Sequence, residues 1–243
     1  HVRSRRQRQM CIRDRGEGGV NVATLRWLKE LDKLCKRHDM LLIVDDIQVG
    51  CGRTGTFFSF EAAGIRPDII TLSKSLSGFG LPMSLVLMKP ELDIWKPGAH
   101  SGTFRGNNLA FVTATQALET YWANTAFTAD IQRKERLVRD WLENLVHSYP
   151  NAGLSVRGRG LIQGLVCNST PALANRIAAN AFKRGVVIET SGAHDEVLKL
   201  LPALTIEEEL LTKGLDVIEA SVADALAEEG QSARILKFGG KRQ

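Results

Sequence analysis

The chain has 243 residues, 44% hydrophobic and 24% charged, a globular composition long enough for one large domain or one and a half. Its net charge of +5 comes from 32 Lys and Arg against 27 Asp and Glu, yet residues 1–15 alone hold six arginines and one aspartate. Without that leader the counts are 26 and 26, so the body of the chain carries no electrostatic signature of nucleic-acid or membrane-surface binding.

The leader, HVRSRRQRQMCIRDR, has neither the apolar segment of a secretory signal nor any apolar periodicity, and is read as non-native sequence outside the fold. Cys11, Cys35, Cys51 and Cys167 lack CxxC spacing, and the five histidines form no pair at helical or finger spacing. Neither a disulfide framework nor a metal site is expected. No apolar run approaches the ~20 residues of a membrane span, so a soluble protein of a reducing, cytoplasmic compartment is the expectation.

Leu25, Leu28, Leu31 and Leu34, followed by the basic cluster Lys36, Arg37 and His38, predict an amphipathic helix. It runs into MLLIVDD, an apolar burst of the kind that forms a parallel strand buried on both faces. Two more bursts, IITLSK and SLVLMK, place an α/β sheet between residues 40 and 90. Residues 107–149 contain neither Pro nor Gly and predict two consecutive helices. After Pro150, the segments LSVRGRG, LIQGLVC, VVIE and VLKLL, with a helix over Pro171 to Arg184, predict a smaller α+β domain over 151–228. Its last helix spans about Ile206 to Leu226, opened by Glu207, Glu208 and Glu209, and 229–243 reads as a disordered tail. The preceding domain is expected to run from residue 16 to residue 150.

Asp45 and Asp46 close the first strand, at the sheet edge where open α/β folds build their crevices. Gly50, Gly52 and Gly55 match GxGxxG, with Asp68 18 residues after Gly50, but DDIQV separates them from the strand and TFFSF follows where a dinucleotide fold needs a helix. Lys74 leaves the second strand in LSKSLSGFGLP. It is either a snorkelling surface lysine or, if desolvated, a nucleophile or general base.

The ordered runs DDIQVGCGRTG, PDIITLSKSLSGFGLP and SGTFRGNNLA resemble the class III, fold-type I aminotransferases, with the resemblance extending from Gly16 to about Leu226. It implies part of a large α/β domain with a mostly parallel sheet, followed by a smaller α+β domain, and pyridoxal 5'-phosphate as cofactor. The family's acid on the pyridine nitrogen falls on Asp45, its glutamine near the ring hydroxyl on Gln48, and its Schiff-base lysine, also the general base, on Lys74, 29 residues after Asp45. Its phosphate-binding threonine falls on Thr103. That threonine serves the neighbouring subunit, which implies a homodimer with shared sites, acting on small amino-acid and semialdehyde substrates.

Two positions depart from the family pattern. Asp46 stands where a glutamate is usual, and the small-domain arginine that holds a substrate carboxylate aligns with Lys199, a point charge without the bidentate fork. Glu17 matches the glutamate that gates that arginine. The family's phosphate cup and ring-stacking aromatic precede the matched region, so the chain reads as a C-terminal fragment. Three readings follow: a transaminase, another pyridoxal-phosphate class such as a racemase or decarboxylase, or an inactive fragment.

Overall fold

The computed structural model describes residues 8–11 and 14–239, with side chains from residue 16 to residue 228. The rest of the leader and residues 240–243 lie outside the described residues. The chain divides into two compact units, one of His1–Asp14 and Val22–Gln132, the other of Arg15–Asn21 and Arg133–Gln243. The boundary therefore falls inside a helix ahead of Pro150, and the segment holding Glu17 is grouped with the second unit.

The first unit is built on a four-stranded sheet in the order β1-β4-β5-β6. β4 (Leu41–Asp45) and β5 (Ile69–Leu72) are parallel, and β6 (Leu85–Met88) runs antiparallel to β5. The fourth member, β1 (Arg8–Cys11), comes from the leader and pairs in parallel with β4. Those residues were expected outside the fold; the open edge of β4 presents backbone donors and acceptors that an extended segment can satisfy whatever its side chains. Short strands β2 (Asp14–Arg15) and β3 (Asn21–Val22) form a two-stranded ribbon.

Helix α1 (Leu25–Arg37) is capped by Thr24, whose hydroxyl accepts from the Trp27 amide. Its buried residues are Leu28, Asp32 and Cys35, while Leu25 and Leu34 are exposed. The leucine spacing of three misplaces the face: at about 100° per residue, Leu25 and Leu34 point to opposite sides of the helix. Leu28 and Cys35 pack with Leu42 and Val44 of β4 and with Phe60, Ala63 and Ile65. Only one face of β4 is thus fully buried; Leu41, Ile43 and Asp45 on the other face are half-buried, not covered as a doubly buried strand would be. Helix α2 (Asn108–Tyr121), capped by Asn107, buries only Ala110 and Ala114.

In the second unit, β7 (Leu154–Arg159), β8 (Ile162–Cys167), β9 (Glu189–Ser191) and β10 (Val197–Leu200) form an antiparallel sheet in the order β7-β8-β10-β9. Helix α3 (Ala126–Ser148) crosses the unit boundary and buries Val138, Leu142 and Leu145 in the second unit, while α4 (Ala172–Lys183) buries Leu173, Ile177 and Ala181. Helix α5 (Glu208–Gly239) buries Leu211, Leu215, Ile218, Val222 and Ala225, a stripe at alternating spacings of four and three. Residues 229–239, expected to be disordered, continue that helix. Of the VVIE run only Glu189 enters a ladder.

Candidate active site

In the first unit the chemistry-bearing residues gather where β4 and β5 end together. Register sets Asp45 opposite Thr71, so these two side chains lie on the same face, the less covered one. The Asp45 carboxylate accepts from the Ile47 amide at 3.0 Å. Thr71 Oγ1 is buried and has no hydrogen-bond partner among the described residues, although burying a hydroxyl unpaired is costly. Nothing in the sequence sets Thr71 apart from the other strand residues; its signal is its place opposite Asp45, one residue short of the strand end, visible only once the register is known.

Lys74 follows three residues after Thr71. Its φ of 50° lies in the left-handed region, which costs a side-chain-bearing residue about 1–3 kcal/mol and is held only where the surroundings enforce it. The surroundings do so here. The Ser73 hydroxyl donates to the Met83 carbonyl at 2.6 Å, and the Gly80 amide donates to the Ser77 hydroxyl at 3.2 Å. Gly78, at φ 71°, leaves no room for a Cβ, which would come within 2.5 Å of Ala117 on α2. The lysine is exposed, so the loop presents its amine at the sheet edge instead of burying it.

The turn after β4 is fixed by Asp46. This carboxylate is 1% exposed and accepts from both the amide and the hydroxyl of Ser59. Gly50 packs so closely that a Cβ would meet the Asp46 carbonyl oxygen at 2.7 Å and Leu72 at 2.8 Å. Cys51 sits in the same turn, and burial, with Asp46 adding to it, pushes its thiol up to about 11. Gln48 is half-buried in this turn.

The GxGxxG match has another cause. Gly52, at φ 89°, lies against the ring of Trp122, and bends, not a helix, directly follow Gly55. Asp68 is engaged at the opposite end of β5, accepting from the Leu42 amide at 2.7 Å and from Lys89 at 2.6 Å. That hydrogen bond, more than any nearby charge, raises the Lys89 pKa.

Thr103 lies on the exposed loop before α2, next to Phe104, which is 98% exposed. No hydrogen bond joins it to Asp45 or Lys74 among the described residues.

Glu17 and Lys199 come together in the second unit. Lys199, in the middle of β10, is 2% exposed, and its ammonium donates to Glu17 at 2.6 Å and faces Glu189 at 3.1 Å. Burial pulls the Lys199 pKa down, but the bonds to Glu17 and Glu189 outweigh it and leave the group raised above 10.5. Glu17 is carried by a tight turn. The Gly192 amide donates to the Glu17 carbonyl at 3.1 Å, and Arg157 donates to the Gly19 carbonyl at 3.2 Å. Glu189 was not singled out in the sequence, because only the β9–β10 register places it directly across from Lys199.

No group of three or more His, Cys, Asp or Glu among the described residues has the arrangement of a metal site, and no helix among them is long and apolar enough to cross a membrane.

The family model described as aminotransferase class-III matches residues 14–222. Over 94% of its length the chain is 85% identical to a Bordetella parapertussis protein named diaminobutyrate–2-oxoglutarate transaminase, covering 52% of it. A Vibrio cholerae protein of the same name is 57% identical over 84% of this chain and 49% of its own length. The crystal structure of N-acetylornithine aminotransferase from Stenotrophomonas maltophilia superposes with a TM-score of 0.80 at 32% identity, over 91% of this chain and 57% of that one. The chain spans about half the length of the curated relatives it matches.

Proposed function

Because the chain belongs to the class III aminotransferases, we propose that it is part of an enzyme that moves an amino group from L-glutamate to L-aspartate 4-semialdehyde, giving L-2,4-diaminobutyrate and 2-oxoglutarate, a step of ectoine biosynthesis. The observation that supports this choice of substrates is the 85% identity to the Bordetella protein over 94% of this chain. The runs GEGGVN and IETSGAHDEVLKLLPALT carry the likeness beyond the three motifs shared with the wider family.

Class III aminotransferases use pyridoxal 5'-phosphate, and the end of β4 and β5 fits such a group. One carboxylate, one amine on a constrained loop and one buried hydroxyl without a partner stand at the same sheet edge. Lys74 would hold the cofactor through its amine, Asp45 would face the ring nitrogen and Gln48 the ring hydroxyl, while Thr103 would reach the phosphate of a partner copy. When bound, the cofactor supplies a carbonyl that condenses with primary amines and a ring that accepts the electrons of the cleaved C–H bond.

The chain's own residues then have defined tasks. The Asp45 carboxylate, already oriented by the Ile47 amide, would keep the ring nitrogen of such a cofactor protonated. Lys74 Nζ would hold the cofactor and, as a free amine, would serve as the base that takes the proton from the substrate carbon. The fixed backbone of the Lys74 loop limits the paths open to that amine. Lys199, already bonded to two carboxylates, is not an open receptor for a substrate carboxylate unless Glu17 or Glu189 withdraws.

A homodimer is part of the same reading. Phe104, Leu109 and Val112, at 98%, 69% and 67% exposure, leave apolar surface bare beside Thr103, as a covered interface would. The test uses the complete enzyme and compares glutamate as donor with aspartate 4-semialdehyde as acceptor against ornithine or 4-aminobutyrate as donor with 2-oxoglutarate as acceptor. Diaminobutyrate formation at the highest kcat/KM supports the assignment. Preference for ornithine or 4-aminobutyrate would move it to another class III activity, toward which the acetylornithine aminotransferase likeness leans.

A further inference from the structure

The tasks of Asp45 and Lys74 leave one group near the end of β5 unused. Thr71 Oγ1 is buried and has no hydrogen-bond partner among the described residues, a costly state for a hydroxyl. Its place is fixed from both sides. β5 pairs with β4 and with β6, which sets Thr71 beside Asp45 in one ladder and beside Val86 in the other. The Asp46 amide donates to the Thr71 carbonyl at 2.9 Å and pins the register at this point. Residues paired across neighbouring strands point to the same face, with the strands about 4.8 Å apart.

These neighbours decide where the hydroxyl can turn. Val86 is apolar and offers no side-chain acceptor. Ser73, two residues on, gives its own hydroxyl to the Met83 carbonyl at 2.6 Å. Asp45 has acceptor positions left, because the Ile47 amide takes one at Oδ1 and a carboxylate offers about four. That single bond holds one oxygen but leaves the broad terminal torsion of the side chain able to turn. A second donor from the neighbouring strand fixes the plane of the group and, by bonding its ionised form, keeps it charged.

We infer that Thr71 is a positioning residue for Asp45: its hydroxyl turns to donate to the Asp45 carboxylate and holds it in the orientation and charge state that the cofactor's ring nitrogen requires. The inference rests on the proposed function, in which Asp45 faces that nitrogen, and adds the residue that sets the carboxylate. Threonine suits the task, since its branched Cβ restricts χ1 to few positions and a hydroxyl once placed by the strand stays placed.

The test compares two variants of the complete enzyme, Thr71→Val, which keeps the branched shape without the hydroxyl, and Thr71→Ser, which keeps the hydroxyl. Thr71→Val should lower kcat about tenfold or more with KM for glutamate within about twofold, and Thr71→Ser should keep kcat within about threefold of the unmodified enzyme. Titrating the cofactor-free enzyme with pyridoxal 5'-phosphate should show binding weakened about fivefold or more in Thr71→Val alone. The melting temperature of cofactor-free Thr71→Val should stay within about 2 °C, because no described hydrogen bond is lost. On an Asp45→Asn background, Thr71→Val should add less than about twofold to the loss in kcat or in cofactor binding, since it acts through that carboxylate. Equal losses with and without the Asp45 carboxylate would overturn the inference. So would a marked drop in the melting temperature of the cofactor-free valine variant, or a valine variant that binds and turns over as the unmodified enzyme does. Asp45→Asn on its own separates the two levels: if it leaves cofactor binding and kcat unchanged, the placing of Asp45 at the ring nitrogen fails first, and the inference falls with it.

Discussion

Lys74 and Lys199 are both lysines on or just past a β-strand, and the fold treats them oppositely. Lys199 sits in regular extended backbone, almost fully buried, its ammonium shared by two glutamates. Lys74 is exposed, has no described ion pair, and is held in a backbone conformation that lysine avoids. The first arrangement spends the charge on holding a turn and a strand together. The second keeps an amine available at the cost of local strain, which is the expected signature of a group retained for chemistry.

The comparison breaks most visibly in activity. Lys74→Ala in the complete enzyme should lower kcat by at least about 10³-fold, since under the proposed function it removes both cofactor attachment and the base. Lys199→Met should leave kcat within about tenfold if its role is structural, because a mutation outside the reacting groups removes no transition-state contact. Steady-state kinetics on the two variants would erase the distinction if their losses were alike.

Stability should reverse the order. Lys199→Ala removes a buried stem and should cost about 3 kcal/mol in denaturant unfolding, while Lys199→Met, which keeps the volume, should cost less than about 1.5 kcal/mol. The two glutamates left behind are largely exposed, 68% and 71% at the side chain, so water takes up most of their lost pairing. Asp46→Ala should cost about 2 kcal/mol by leaving the buried Ser59 amide and hydroxyl without their acceptor. Lys74→Gly, in contrast, should gain up to about 1 kcal/mol by relieving the left-handed residue, while abolishing activity.

The smallest effect is a pH dependence. Lys199 has a folded pKa raised above 10.5 by its two glutamates, so its contribution is complete below that pH and is lost as pH rises through the folded value. Between about pH 9 and about pH 12 the unmodified protein should therefore lose more melting temperature than Lys199→Met does. Equal losses would mean that the ion pairs add nothing.

Legibility in the sequence followed the range of the interactions. The three apolar bursts located β4, β5 and β6, although only β4 and β5 are partly or fully buried here and β6 leaves Leu85, Val86 and Leu87 exposed. The helical phase of α1 was misjudged because leucines three apart drift around the helix, and the true stripe includes Asp32 and Cys35. Asp45 and Lys74 stood out because the first ends a strand and the second follows one by two residues. Thr71 and Glu189 did not, since each acquires meaning only from the residue across the ladder, Asp45 in one case and Lys199 in the other. The pairing of Arg8–Cys11 with β4 was likewise invisible, because backbone hydrogen bonds leave no side-chain pattern to read.

Under the proposed function Lys74, and not Lys199, is the lysine that holds the cofactor. Borohydride reduction of the complete enzyme with pyridoxal 5'-phosphate, followed by peptide mass mapping, tests it most directly. The reduced cofactor is expected on the peptide containing Lys74, with Lys199 unmodified. Modification at Lys199 or another lysine, with Lys74 intact, would contradict it.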